Sequence, residues 1–173
     1  MNFADIKRVD VANGPGIRVS LFVSGCTHHC PECFNPETWD FAFGKPFTQK
    51  EIDEIFALMD HSYIRGLSLL GGEPFEPENQ ESVLELIHQT RAKFPEKDIW
   101  CYTGYLFEPW AEGKIGMHSR SMLEGLDVLV DGPFRIAEKD LSLRFCGSRN
   151  QRLIDVPATL KAGSIVLWDE PLF

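Results

Sequence analysis

The feature that most constrains the fold of this chain is a series of short apolar segments spaced like the strands of βα units. Such segments begin near residues 17, 66, 98 and 127, and helical or irregular stretches lie between them. This spacing predicts a mostly parallel sheet with right-handed crossover connections. We therefore expect an α/β fold in which the segments pair side by side.

The first 60 residues predict one strand, one long loop and one helix. Apolar side chains alternate along residues 17–24, as they do in a strand. Residues 25–47 show no period and are rich in Pro, Gly, His and aromatic side chains, which indicates a long loop of the kind that usually carries function. Thr48 and Glu51 have capping-box spacing, and they predict a helix over residues 49–60.

The rest of the chain predicts alternating strands and helices. A buried strand over residues 67–70 ends at a Gly-Gly turn, and a second helix covers residues 83–91 and stops before Pro95. Residues 108–120 are interrupted by proline and glycine, which disfavours a helix there. Further strands are predicted at residues 99–103, 128–130, 153–156 and 165–168.

Length and charge narrow the classes of protein. A chain of 173 residues with 43% hydrophobic composition is long enough for one core and short for two, so we expect a single domain over residues 1–173. Residues 1–11 do not read as a signal peptide, and no apolar run reaches the roughly 18 residues of a membrane span. We expect a cytoplasmic protein without a membrane partner. The net charge of −9 argues against nucleic acid as a ligand.

Three of the five cysteines form a cluster in the long loop. Cys26, Cys30 and Cys33 have C-x3-C-x2-C spacing, so one short loop can direct three thiolates at one metal centre. Iron–sulfur clusters are normally held by four cysteines, so three ligands either need a fourth from elsewhere or leave one iron free to bind substrate. Zinc held by the three thiolates with His28 or His29 is an alternative. Buried structural thiols are another.

The sheet brings this loop close to two other motifs. In open parallel sheets, ligands bind beyond the carboxyl ends of the strands. The cysteine loop, the turn Gly71-Gly72-Glu73-Pro74 and the dipeptide Thr103-Gly104 all follow predicted strands at that edge. Cys101 and Cys146 lie outside the motif, and we interpret them as small buried side chains or accessory thiols.

The order of these motifs resembles the radical S-adenosylmethionine (radical SAM) superfamily. A C-x3-C-x2-C loop follows the first strand, and a Gly-Gly-Glu-Pro turn follows the second. Nearly the whole chain is similar to the activating proteins of anaerobic (class III) ribonucleoside-triphosphate reductases. The segments that carry this wider similarity are NGPGIR (13–18), SGC (24–26), CFN (33–35), WCYTGY (100–105), DVLVDG (127–132) and GSRNQR (147–152).

The resemblance implies a fold and a chemistry. The fold would be a partial radical-SAM-type βα barrel, with the cluster loop at residues 25–47. By similarity, Cys26, Cys30 and Cys33 hold a [4Fe–4S] cluster whose fourth iron binds SAM through its amino and carboxylate groups. Reductive cleavage of SAM then gives a 5′-deoxyadenosyl radical, which removes a hydrogen atom from one glycine of the reductase catalytic subunit. Reduced flavodoxin or a similar protein is the expected electron donor.

The resemblance also suggests which residues contact SAM. Backbone atoms of Gly71 and Gly72 would approach it closely, and Glu73 would place a negative charge near its ammonium group. Around the third cysteine, backbone atoms of residues 32–34 would bind adenine, although Glu32 stands where many radical SAM proteins have an aromatic residue. Phe34 would either pack against adenine or belong to the core.

Two strand-end residues complete the expected site, and three alternatives remain open. Thr103 and Asp131 would supply oxygen ligands for SAM or a small cation, although such residues also commonly cap strands and form turns.

The GSRNQR segment would either be a solvated loop or help to receive the glycine loop of the partner. An activase for another glycyl-radical enzyme, such as pyruvate formate-lyase, is the related alternative. A zinc-binding adaptor is the alternative from a different class.

Overall fold

The protein is represented by a computed structural model, which describes residues 1–108 and 116–169. The described strands are β1 (Asn2–Asp10), β2 (Ile17–Val23), β3 (Lys45–Pro46), β4 (Ile64–Gly71), β5 (Asp98–Tyr102), β6 (Val128–Asp131) and β7 (Arg152–Asp155). The described α-helices are α1 (Gln49–Met59), α2 (Pro77–Lys93), α3 (Ser119–Glu124) and α4 (Val156–Ala162). Short 3₁₀ helices lie at Pro36–Trp39 and Ile136–Glu138.

All seven strands belong to one sheet with the order β3-β1-β2-β4-β5-β6-β7. The four central strands β2, β4, β5 and β6 run parallel, while β1, β3 and β7 pair antiparallel at the two sides. The predicted α/β class and parallel sheet are confirmed. Within the described residues the sheet is open, because β3 and β7 end the order without pairing with each other.

The helices pack against one face of the sheet. Successive side chains of a strand point to opposite faces, and one set from β2, β4 and β5 joins the main apolar cluster with α1 and α2. Fully buried members of that cluster include Leu21, Ile55, Leu69, Leu86 and Cys101. The opposite set includes Arg18, Ser68 and Trp100, and this face carries no described helix. A smaller cluster around Trp100 and β6 covers part of it.

Arg18 links three strands at the end of the sheet where the parallel strands begin. Its side chain is fully buried, and its guanidinium lies 2.5 Å from Asp98 of β5. The same group donates to Ser68 Oγ at 2.7 Å and to the Leu67 carbonyl at 2.8 Å. Burial lowers the pKa of Arg18, and the charge of Asp98 opposes that shift. Three neighbouring strands are therefore joined at the edge opposite the predicted ligand site.

The sequence located the regular elements well in the middle of the chain. The structure contains α1 with its capping box, in which Thr48 N donates to Glu51 at 2.8 Å and Lys50 N donates to Thr48 Oγ1 at 3.3 Å. The predicted long loop is interrupted by Pro36–Trp39 and by β3, neither of which was expected.

The predictions were weaker near the two ends. β1 was not predicted as a strand. The predicted strand at residues 165–168 is wrong, because only an isolated bridge between Leu167 and Ile154 forms there. Proline and glycine were expected to disfavour a helix over residues 108–120. Of that segment, residues 109–115 lie outside the described residues. No helix within residues 1–108 or 116–169 has the length and apolar character needed to cross a bilayer.

Candidate functional site

A cleft of about 620 Å³ opens along the face of the sheet that carries no described helix. Its size falls within the roughly 300–1,000 Å³ of common small-molecule sites. All three clustered cysteines line it, together with residues from the ends of β4 and β5 and from the loop after β6. The cysteine loop and the Gly-Gly turn therefore meet where the parallel sheet predicts.

The cysteine loop leaves β2 through a tight turn. Gly25 has φ +97°, and a Cβ there would lie 2.2 Å from the Phe41 ring, so only glycine fits. Its amide donates to the Thr38 carbonyl at 2.8 Å, and the Cys26 amide donates to the Trp39 carbonyl at 3.2 Å. The loop thus folds back on its own 3₁₀ helix, which presents the cysteines to the cleft.

Burial and backbone donors act in opposite directions on the cysteine thiols. The Asn35 amide donates to Cys33 Sγ at 3.4 Å. Burial raises the pKa of the Cys30 thiol, whereas a hydrogen bond from the Phe134 backbone lowers it. Burial likewise raises the pKa of the Cys26 thiol to about 12, against backbone hydrogen bonds from residues 28 and 29. Donors of this kind stabilise a thiolate, which is the form that binds metal.

The donor set of the cleft is compatible with a metal centre. Among residues 1–108 and 116–169, no three Cys, His, Asp or Glu side chains are placed to hold a single ion. Cys26, Cys30 and Cys33 nevertheless line one cleft, and cysteine thiolates are the usual ligands of iron–sulfur clusters. The three thiols therefore fit the cysteine ligands of such a cluster.

Glu73 connects the cysteine loop to the end of β5. Its carboxylate is 1% exposed and accepts from the Gly104 amide at 2.7 Å and from the Phe75 amide at 3.0 Å. It also lies 2.9 Å from Nε2 of His28, and this hydrogen bond raises the pKa of His28 although burial alone would lower it. Glu73 lines the cleft, but protein donors already occupy both of its oxygens.

Gly71 and Gly72 form the wall of the cleft between the cysteine loop and β2. Gly71 has φ +109°, and a Cβ there would lie 2.7 Å from the backbone N and O of Val23. A Cβ at Gly72 would lie 2.6 Å from the Gly25 carbonyl oxygen. The Gly72 amide donates to the Val23 carbonyl at 2.8 Å. Both glycines are thus required by close backbone approach in addition to any contact with a ligand.

The structure separates the two predicted strand-end ligands. Thr103 lines the cleft, and its Oγ1 accepts from the Tyr105 amide at 3.1 Å. Asp131 is fully buried and is not among the described residues that line the cleft. Its Oδ1 accepts from Arg152 at 2.9 Å, and its Oδ2 accepts from the Phe107 amide at 2.9 Å. Both carboxylate oxygens of Asp131 thus already accept hydrogen bonds from the protein. Its expected role as a ligand stays a prediction.

Residues around the third cysteine also differ in their placement. Phe34 is 63% exposed and lines the cleft, so it does not belong to the core. Its ring lies 5.2 Å from that of Phe134, with Lys139 Nζ 5.5 Å above it. Glu32 has φ +54° and is exposed, and it is not among the described cleft residues. Of these two residues, only Phe34 lines the cleft, where its ring offers an aromatic face.

The sequence did not place Cys146, Trp39 or Tyr102 in the cleft that they line. Cys146 is half-buried and lines the cleft, whereas Cys101 lies in the main core. Trp39 Nε1 and Tyr102 Oη belong to cleft residues, and both atoms are buried without a hydrogen-bond partner in the described part of the chain. Buried polar atoms are rarely left unpaired, and a bound ligand is one way to satisfy them. No spacing rule identifies these residues, because the folding of separate segments brings them together.

Comparison with known proteins gives concordant matches. A sequence family described as a 4Fe-4S single cluster domain matches residues 12–154. An anaerobic ribonucleoside-triphosphate reductase-activating protein of Enterobacteria phage T4 is 43% identical over 155 residues, which cover 88% of this chain and 93% of that protein. Proteins of the same name from Vibrio cholerae serotype O1 and Escherichia coli K12 are each 41% identical over 153 residues, covering 87% of this chain and 96% of theirs.

Proposed function

Because this chain belongs to the family of anaerobic ribonucleoside-triphosphate reductase-activating proteins, we propose that it activates such a reductase as a radical SAM enzyme. The observation that carries this proposal is the single cleft in which Cys26, Cys30 and Cys33 meet the Gly71-Gly72 turn and Thr103. Cluster ligands and a binding surface for a small zwitterion then share one wall. The chain supplies both parts of a SAM-cleaving site.

The three cysteines are proposed to hold a [4Fe–4S] cluster. When bound, such a cluster supplies the electron that cleaves SAM into methionine and a 5′-deoxyadenosyl radical, and that radical takes one hydrogen atom from a glycine of the partner. The Asn35 amide, which donates to Cys33 Sγ, stabilises the thiolate form of that ligand. The protein positions the reactants and excludes side reactions, while the cofactor carries the difficult chemistry.

SAM is proposed to lie along the wall formed by the ends of β4 and β5. Gly71 and Gly72 allow close approach of their backbone, and Thr103 offers a hydroxyl oxygen from the next strand. The exposed ring of Phe34 provides an apolar surface for adenine. We propose that Glu73 acts by holding Gly104 in place and by keeping negative charge beside the ammonium group.

The partner and the fold follow from the family. The target is proposed to be the catalytic subunit of the anaerobic reductase, since the relatives carry that protein in their name, and not pyruvate formate-lyase. Reduced flavodoxin or a similar protein is the proposed electron donor. We also propose one radical SAM domain over residues 1–173, with the sheet curved as a partial βα barrel. The parallel central strands, with the described α-helices packed on one face, support this arrangement.

The proposal is tested by reconstituting the protein anaerobically with iron and sulfide. The reduced protein is incubated with SAM, and 5′-deoxyadenosine and methionine are measured, first alone and then with the reductase. Cys30→Ala is the test variant. Cys101→Ala is its matched control, because it makes the same substitution at a cysteine of the main core that does not line the cleft.

We expect SAM cleavage by the wild type and by Cys101→Ala and none by Cys30→Ala. A glycyl radical signal should then appear by electron paramagnetic resonance when the reductase is added. Zinc in place of a cluster would contradict the proposal. So would a fully loaded cluster that fails to cleave SAM even with the reductase present.

A further inference from the structure

Two buried carboxylates lie in the turn between β4 and α2. The hydrogen bonds of the Glu73 carboxylate are described above. Glu76 is 3% exposed, and its Oε1 accepts two hydrogen bonds from one residue of the cysteine loop. The donors are the amide of Thr27 at 2.7 Å and its Oγ1 at 2.6 Å. A buried carboxylate is costly unless it is fully bonded, so this pairing needs a reason.

Thr27 immediately follows the first cysteine of the motif. The loop around it is irregular, and His29 and Glu32 have φ values of +48° and +54°. Regular secondary structure therefore does not fix where Cys26 points. The two bonds from Thr27 to Glu76 tie this part of the loop to the first turn of α2, which is packed in the main core through residues such as Val83.

A second contact from the same helical turn acts on the other side of Cys26. Asn79 is 1% exposed, and its Nδ2 donates to the Ser24 carbonyl at 2.9 Å and to the Glu73 carbonyl at 3.0 Å. The start of α2 thus holds the residues on both sides of the Gly25-Cys26 dipeptide.

We propose that Glu76 is a positioning residue for the iron–sulfur cluster, which acts through Thr27 to fix the direction of Cys26. This inference rests on the proposed function, since it assumes that Cys26 is a cluster ligand. Glu76 is not among the described residues that line the cleft, so its effect is transmitted through the loop. Its carboxylate accepts from the Thr27 amide, whereas the neighbouring amides of Gly25 and Cys26 donate to backbone carbonyls.

The experiment compares variants that remove the hydrogen bonds with variants that keep them. Glu76→Ala removes the acceptor, whereas Glu76→Gln keeps a carbonyl oxygen for both donors. Thr27→Val removes the hydroxyl and keeps the branched shape, whereas Thr27→Ser keeps the hydroxyl. Glu78→Ala is the matched control, because Glu78 is an exposed glutamate in the same turn of α2.

The readouts are iron and sulfide per chain after reconstitution and the rate at which a chelator removes iron. The electron paramagnetic resonance spectrum of the reduced protein, with and without SAM, reports the geometry of the cluster. We expect Glu76→Ala to lose iron at least about tenfold faster than wild type, since the loss of even one hydrogen bond to a charged group corresponds to about a tenfold change. Thr27→Val should show a smaller acceleration, and the Gln, Ser and Glu78→Ala variants should remain close to wild type.

The outcomes separate this inference from the proposed function. If wild-type protein binds no cluster, the proposed function fails. If it binds a cluster and Glu76→Ala loses iron at the wild-type rate with an unchanged spectrum, only the positioning role is overturned. Should Glu76→Ala fail to fold, the Thr27 pair decides, and equal iron loss from Thr27→Val and Thr27→Ser would overturn the role.

Discussion

Replacing Gly71 by alanine tests whether the turn after β4 depends on close backbone approach. Gly71 has φ +109°, and a Cβ there would lie 2.7 Å from both the N and the O of Val23. These are backbone atoms, and the Val23 carbonyl already accepts from the Gly72 amide at 2.8 Å, so they cannot move aside cheaply. The variant therefore carries an unfavourable φ together with a clash against β2.

Gly163 provides a control that carries the first cost without the second. It follows α4 with φ +70°, and a Cβ there would meet nothing within 4 Å. Backbone strain of this kind costs about 1–3 kcal/mol. Forcing an extra carbon into a packed site costs about 1–3 kcal/mol more. We therefore expect Gly71→Ala to be less stable than Gly163→Ala by about 1–3 kcal/mol.

Urea unfolding of the cluster-free protein, followed by circular dichroism under reducing conditions, measures this difference. For a chain of this size it corresponds to a shift in melting temperature of about 2–4 °C per kcal/mol. SAM binding by the reconstituted protein gives a second comparison, and it should weaken in Gly71→Ala only. Equal losses of stability in the two variants would refute the argument from close approach.

Two further predictions concern ion pairs. Arg18→Met should lower the free energy of unfolding, measured in urea titrations, by about 3–5 kcal/mol. The reason is that Asp98 and two acceptors on β4 lose their buried donor. A loss below about 1 kcal/mol would contradict this. Arg152 holds the pKa of Glu108 below its usual value, mainly through their hydrogen bonds. The pair therefore stabilises the fold above pH of about 4.3, and this contribution is lost as the pH falls through the lowered pKa. Since Glu108 is half-exposed, the free energy of unfolding of Glu108→Gln should differ from that of wild type by less than about 1 kcal/mol at pH 7. The difference should shrink as the pH falls through the lowered pKa of Glu108, and a difference that grew on acidification would contradict this.

The sequence predicted those elements whose pattern is set by a buried face. β2 and α1 each bury a clear apolar face, and α1 also has a local capping signal in Thr48 and Glu51. β1 was missed because Asp5, Lys7 and Arg8 lie on an outer strand with much of its surface exposed. Charged residues are tolerated at such positions, and they obscure the alternation of a strand.

The sequence could place the site motifs where they are local in sequence, and the roles of their residues stay predictions. The cysteine spacing and the Gly-Gly turn are short motifs, and the parallel sheet alone brings them to one edge. Asp131 behaves differently because β6 and β7 pair antiparallel, with Asp131 directly opposite Arg152. That register fixes the partner of Asp131, and no local pattern reveals it. Thr27 and Glu76 are likewise joined only by tertiary packing.

The backbone donor that faces Cys30 has a consequence for biosynthesis. This donor belongs to Phe134, which lies about 100 residues further along the chain than Cys30. At about 5–20 residues per second, the ribosome needs roughly 5–20 s to synthesise that interval. The cysteines therefore leave the ribosome well before the wall that completes their surroundings. Nascent chains in that interval carry cysteine thiols that are open to oxidation.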